Sequence, residues 1–180
     1  MVKGKHIHMR PLQREDAEPL LQFQASNREF FETYSMDRVE NYYSVEYQRS
    51  LIEKQQAARK KDEEYAYGIF LNGENRLIGT INLFHVMRGP LQSAFIGYFL
   101  DRRENGRGYT TEAVGLLETF AFEKLGLHRI EAGVMPHNQG SIRVLEKSGF
   151  QREGLARKNV RINGKWEDHV VLAALNPADE

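Results

Sequence analysis

The chain has 180 residues, 41% of them hydrophobic, and its 25 Lys plus Arg are balanced by 25 Asp plus Glu. That length suits one domain with a self-sufficient core, and the neutral balance argues against a nucleic-acid binder that works through its overall field. Cysteine is absent, which excludes disulfides, thiolate redox chemistry, a Cys nucleophile and Cys-ligated zinc.

The first sixteen residues carry no apolar stretch of the secretory kind, and no apolar run nears the ~18 residues of a membrane span. A cytoplasmic protein with no membrane or nucleic-acid partner is expected, organised as one domain over residues 1–180. Ile7 to Arg10 predicts a short strand closed by Pro11. Arg14 to Ala25 predicts a helix, with Ala17, Leu20, Leu21 and Phe23 on overlapping turns, and Ser26-Asn27 breaks it. Phe30, Phe31, Tyr34, Tyr42, Tyr43 and Tyr47 come next. Core packing accounts for most of these aromatics; the functional reading is one wall of an acceptor pocket. Ser44 to Lys61 predicts a long helix whose basic end suits the helix dipole.

The period then changes. Tyr65 to Leu71, Leu77 to Val86 and Ser93 to Leu100 predict three antiparallel strands, turned at Asn72-Gly73 and Arg88-Gly89-Pro90. Val114, Leu117, Phe120, Ala121 and Leu125 restore helical spacing up to Gly126. Arg129 to Met135 predicts a strand, and Asn138 to Ser148 a short helix with an Asn cap and a Gly149-Phe150 stop. Gln151 to Arg161 and Trp166 to Leu175 predict a final hairpin turned at Asn163-Gly164. The fold class is α/β (α+β), not a regular βαβ array.

The most informative segment runs from Gly97 to Ala113, a strand entering a loop with glycines at 106 and 108 and then a helix. Glycines let a backbone approach a ligand closely. The first helical N–H groups lack internal partners and favour an anion. Arg102, Arg103 and Arg107 add positive charge. The NTPase pattern GxxxxGK[ST] is absent. A dinucleotide fingerprint would need glycine where Thr111 stands, and its parallel βαβ context is missing, although Glu131 could mimic the ribose-binding acid. A plain strand-to-helix turn is the structural alternative.

Arg103-Glu-Asn-Gly106-Arg-Gly108, continued by Thr111-Glu112-Ala113, resembles the [RQ]-x-x-G-x-[GA] acyl-CoA signature of the GNAT superfamily of N-acetyltransferases. The block from His128 to Phe150, with its N-x-x-S at Asn138 to Ser141, resembles the next family block. Gln151 to Gly154 and Asn163 to Asp168 resemble the RimJ/RimL-type ribosomal-protein N-terminal acetyltransferases. The resemblance covers most of the chain and is densest from Ile96 to Leu172.

It implies a GNAT fold, a mostly antiparallel central sheet of about six to seven strands flanked by helices. It implies acetyl-CoA as cosubstrate, no metal, and transfer to a primary amine, a protein N-terminal α-amine in the first place and a small-molecule amine as the alternative. A non-catalytic acyl-CoA-binding module is the rival of another class. Whether the chain works as a monomer or a homodimer stays open. Arg103, Asn105, Gly106, Arg107, Gly108, Tyr109 and Thr110 would surround the pyrophosphate, and Phe99, Leu100 and Arg102 would pair their backbone with pantetheine. A free N–H near Phe99 would face the thioester carbonyl, where charge grows in the transition state. Asn138 and Ser141 would sit beside pantetheine and sulfur. Ser141 is either the donor to the leaving thiolate or a second helix-cap hydroxyl. Arg143 and Lys147 either reach the CoA 3′-phosphate or form a solvated helix face. For the base, Glu131 leads, with Glu32, Asp168 and His169 behind it. The glutamate that RimL-like proteins carry just before the late hairpin is Val160 here.

Overall fold

A computed structural model describes residues 1–179. Eight strands form one sheet, β1 (Val2–Lys3), β2 (Ile7–Arg10), β3 (Tyr65–Leu71), β4 (Leu77–Met87), β5 (Ser93–Leu100), β6 (Arg129–Val134), β7 (Gln151–Ile162) and β8 (Lys165–Leu175). Their spatial order is β1-β2-β3-β4-β5-β6-β8-β7, and every pair is antiparallel except β5 with β6. The strand beyond the expected six to seven is the two-residue β1, too short to show a period.

Five helices cover the sheet, α1 (Ala17–Ser26), α2 (Arg28–Glu32), α3 (Val45–Lys60), α4 (Tyr109–Thr119) and α5 (Gln139–Lys147). Sequence periodicity misses α2, because its five residues span little more than one turn. On one face of the sheet, Ile81, Leu83, Ile96, Ile130 and Leu172 meet Val114 and Leu117 of α4 and Ile142 and Leu145 of α5. On the other, Phe70 packs under Leu20 and Phe23 of α1, Phe31 of α2 and Ile52 of α3. Each buried aliphatic or aromatic side chain contributes ~1.5–3 kcal/mol by leaving water.

Local chemistry sets the ends. The Ser44 hydroxyl accepts the Tyr47 N–H at 3.1 Å and caps α3. Asn163 and Gly164 both have positive φ, 51° and 76°, as a two-residue hairpin turn requires. The β3–β4 connection takes residues 72–76 rather than a tight Asn-Gly pair. Among the described residues, no helix is long and apolar enough to cross a membrane.

One irregularity positions the site. β5 and β6 are in register only at Ser93↔Arg129, Ala94↔Ile130 and Phe95↔Glu131. Beyond Phe95 the two strands part, and a wedge opens between them toward their C-terminal ends.

Candidate active site

A cleft of about 430 Å³ fills this wedge on the α4/α5 side. Its walls are the end of β5, the loop into α4, one face of α5, and the aromatics Phe30, Phe31 and Tyr34 from α2 and the turn after it.

Strand alternation decides which β5 amides face the wedge. The Asp101 N–H donates to the Ile78 carbonyl at 2.7 Å, so the alternate residues Phe99 and Gly97 also exchange their hydrogen bonds with β4. The Gln92 carbonyl accepts from His128 and Arg129 on the β6 side. The residues in phase with Gln92 therefore turn their backbone toward the wedge, and Tyr98 and Leu100 lie where β6 no longer pairs. The free N–H expected near Phe99 therefore falls to Tyr98 and Leu100, because Phe99 itself sits in a hydrogen-bonded pair with Thr80 of β4. The Phe99 side chain still lines the cleft.

The loop after β5 is braced from outside. Asp101, 4% exposed, accepts the Arg103 N–H at 3.0 Å and pairs with its guanidinium at 2.7 Å. That guanidinium and N–H hold the Asp101 carboxyl below its ordinary value against the opposing effect of burial. The Arg102 N–H donates to Asn27 Oδ1 at 2.9 Å, and the Asn27 amide donates to the Phe23 carbonyl at 2.9 Å. Glu104 is buried, with Arg76 at 2.7 Å and Arg107 at 3.5 Å. The expectation that Arg102 and Arg103 offer their amides to a ligand is corrected, since both amides are already used inside the protein. Arg102, Arg103 and Arg107 do not line the cleft.

The rest of the loop, from Asn105 into α4, is open. Gly106 and Gly108 take φ of 80° and 82°, the left-handed region in which a Cβ is strained. The first α4 hydrogen bond runs from the Glu112 N–H to the Gly108 carbonyl. The N–H groups from Gly106 to Thr111 have no partner among the described residues. Six unpaired donors at the head of an eleven-residue helix form an anion seat. Asn105, Gly106, Gly108, Tyr109 and Thr110 all line the cleft there, and Arg143 and Lys147 of α5 face them. Glu112 serves elsewhere. Burial alone would raise its carboxyl, but the His6 and Ile7 N–H groups and the His6 ring hold it below its ordinary value and tie β2 to α4.

At the inner end, Asn138 Oδ1 accepts the Ser141 N–H at 3.3 Å and so caps α5. The Ser141 hydroxyl is not a second cap, because it turns to a side chain instead. Its Oγ lies 2.7 Å from the Tyr98 hydroxyl, and both residues line the cleft. Burial pushes the Tyr98 phenol up to about 12, against the Ser141 contact. The sequence reading missed Tyr98, although alternation from Leu100 would have placed it on the α5 face.

Glu131 is not brought to the cleft. Its carboxylate is held by Arg129 at 3.1 Å, which also binds Glu153, on the opposite sheet face from Ile130 and Ala132. Asp168 accepts the Lys158 N–H at 2.8 Å and braces the β7 irregularity. His169 is buried with Nδ1 2.9 Å from Asn159 Oδ1. Glu32 accepts the Tyr43 hydroxyl at 2.8 Å. None of these four lines the cleft. Among the described residues, no group of three or more His, Asp or Glu is placed to hold a metal ion.

The comparisons agree with this architecture. A family model described as an acetyltransferase (GNAT) domain matches residues 6–151. The probable N-acetyltransferase YjcK of Bacillus subtilis is 61% identical over 180 residues, 100% of this chain and 99% of that protein. The solved ribosomal-protein-S5-alanine acetyltransferase of Vibrio fischeri superposes with a TM-score of 0.92 at 27% identity, over 97% of this chain and 96% of that one. RimJ of Mycobacterium smegmatis, solved in complex with CoA-disulfide, superposes with a TM-score of 0.90 at 28% identity, over 94% of this chain and 81% of that one.

Proposed function

The chain belongs to the GNAT acetyltransferase family as an acetyl-CoA-dependent N-acetyltransferase, and from that premise we propose that its acceptor is the α-amino group of a protein or peptide N-terminus. The observation that carries this reading is the whole-length likeness to a ribosomal-protein-S5-alanine acetyltransferase. That likeness takes in the acceptor-side helices and the β7–β8 hairpin as well as the phosphate loop. We further assign residues 1–180 to one cytoplasmic domain: β8 lies between β6 and β7, so the last hairpin belongs to the same sheet as the rest.

The cleft fits the donor. The N–H groups from Gly106 to Thr111 would hold the pyrophosphate, with Arg143 and Lys147 beside it. The wedge-facing backbone of Tyr98 and Leu100 would pair with pantetheine and present an N–H to the thioester oxygen. The amine nitrogen bonds to the acetyl carbon as the carbon–sulfur bond breaks. The Ser141 hydroxyl donates to the departing sulfur and the Tyr98 phenol backs Ser141. The amine's proton leaves through water. An α-ammonium has a pKa of ~8, so a useful fraction is neutral near pH 7 without a strong base, unlike lysine at ~10.4. The Val160 position and the distant Glu131 fit this arrangement.

The test is acetylation of an N-terminal peptide and of the same peptide with a blocked α-amine and a free lysine. Release of CoA thiol with the first alone supports the reading. kcat/KM should rise with pH and level off near the pKa of the peptide's own amine. Transfer only to the lysine, or only to small amines, overturns it.

A further inference from the structure

Strand phase leaves an opening on the sheet face opposite the cosubstrate cleft. Ile130, Ala132 and Val134 of β6 and Leu172 and Ala174 of β8 belong to the core under α4 and α5, so Gly133 and His169 turn to the other face. Gly97 of β5 shares that face, with Asn82 and Phe84 as its neighbours. Phe95 is in register with Glu131, so Gly97 and Gly133 come next in phase on either side of the wedge, at the level where the strands part. Two facing positions without side chains keep the wedge open from behind. The His169 ring stands at that opening, since a Cβ added at Gly133 would lie 3.6 Å from His169 Cβ and 3.9 Å from its Cδ2.

His169 is held in one tautomer. Its Nδ1 lies 2.9 Å from Asn159 Oδ1 and 3.2 Å from the Glu167 carbonyl oxygen. A carbonyl only accepts, so Nδ1 carries the hydrogen and Nε2 keeps its lone pair. The residue is 6% exposed, yet Nε2 is neither bonded among the described residues nor sealed from solvent. The charged groups beside it are Glu131 of β6, tied to Arg129, Lys158 of β7, and Glu167 and Asp168 of its own strand, Asp168 holding the Lys158 N–H. An imidazole anchored through one nitrogen, with the other open in a nearly dry place, is arranged as a proton acceptor.

We propose that His169 takes up the proton that the acceptor amine releases, through a water standing over Gly133. This rests on the cosubstrate placement proposed above and not on which amine is the acceptor. The nitrogen lone pair bonds to the acetyl carbon, and the carbon–sulfur bond breaks with its pair going to sulfur. The nitrogen's proton passes to the water as a proton of that water passes to Nε2, which leaves His169 as an imidazolium. Ser141 gives its proton to sulfur and regains one from solvent, and His169 returns its own to solvent. The net result is one proton moved from nitrogen to sulfur.

The experiment reads thiol release with acetyl-CoA and any amine that the wild-type protein acetylates. His169→Asn keeps an N–H for Asn159 and the Glu167 carbonyl but has no basic nitrogen. It should lower kcat about 10²-fold, the lower range for a positioned proton acceptor, while KM for acetyl-CoA and the melting temperature are kept. The fall of wild-type kcat toward acid pH should flatten in this variant. His169→Ala should lose as much, and free imidazole should restore its kcat several-fold while leaving the wild type unchanged, a rescue that a merely structural role does not give. The asparagine variant decides alone if the alanine variant does not fold. A kcat close to wild type, an unchanged pH profile, or an alanine variant that imidazole does not revive overturns the proposal and leaves the cosubstrate placement standing. A Gly108→Glu variant that still binds acetyl-CoA overturns that placement and the proposal with it.

Discussion

The Tyr98 hydroxyl lies 2.7 Å from Ser141 Oγ and 3.3 Å from the Ser141 carbonyl, so one half-buried phenol orients the Ser141 hydroxyl at the cleft wall, where the proposed mechanism has the leaving sulfur. Burial pushes the Tyr98 phenol up to about 12, so it keeps a proton to donate to the Ser141 carbonyl or Oγ through any working pH. Ser141→Ala should lower kcat by about 10²-fold, the lower range for a positioned proton donor, with KM for acetyl-CoA within about threefold. Tyr98→Phe should lower kcat by about 3- to 10-fold. A thioester with a more acidic thiol should recover part of the Ser141→Ala loss, because its sulfur needs less help to leave. Steady-state kinetics with both donors checks this.

Gly108 has φ of 82° and nothing within 4 Å of an added Cβ, so substitution there acts through the backbone and the ligand rather than through a clash. Gly108→Ala should weaken acetyl-CoA binding about 5-fold, from left-handed strain of ~1 kcal/mol in the conformation that frees the amides. Gly108→Glu adds a negative charge at the proposed pyrophosphate seat and should remove measurable binding. Titration calorimetry with acetyl-CoA reads both.

Asn27 joins the end of α1 to the entry of the phosphate loop and is 5% exposed. Asn27→Ala would strand the buried Phe23 carbonyl and the part-buried Arg102 N–H, at ~1–3 kcal/mol. The melting temperature should fall by about 3–8 °C, and KM for acetyl-CoA should rise more than kcat falls. Asn27→Asp keeps the acceptor for Arg102 and should restore KM more than it restores stability. Melting curves beside kinetics separate the two effects.

Burial alone pushes Glu118 on α4 up to about 7. Its folded pKa lies above the unfolded value, so the neutral carboxyl is tolerated below pH ~4.5 and the penalty grows as pH rises through 7. Glu118→Gln should therefore stabilise the protein at pH 8 by about 1 kcal/mol, after discounting for partial exposure, and change little at pH 4. Melting temperatures at the two pH values check the sign.

Much of the scaffold was legible in the residues because each signal was local. Gly149 with a φ of 89°, the Asn138 cap and the Asn163-Gly164 turn all declare themselves within four residues. The anion seat was readable for the same reason, as it is made by consecutive amides of one loop. What could not be read depends on pairing between distant segments. Which β5 amides face the wedge is set by register with β4, and Arg102 loses its amide to Asn27, 75 residues away. Glu131 looked available on its strand, and only the fold brings Arg129 and Glu153 together on its side of the sheet.

The short β5–β6 junction has a mechanical consequence. Within the sheet, only three register pairs join strands β1–β5 to the trio β6, β8 and β7. On the proposed placement, the cosubstrate would lie along that seam as an extra thread, and its grip would tighten both halves at once. Amide exchange at Ile130 to Val134 should slow on binding as much as at Tyr98 and Leu100, and a molecule pulled apart from its ends should part first along the line where its substrate belongs.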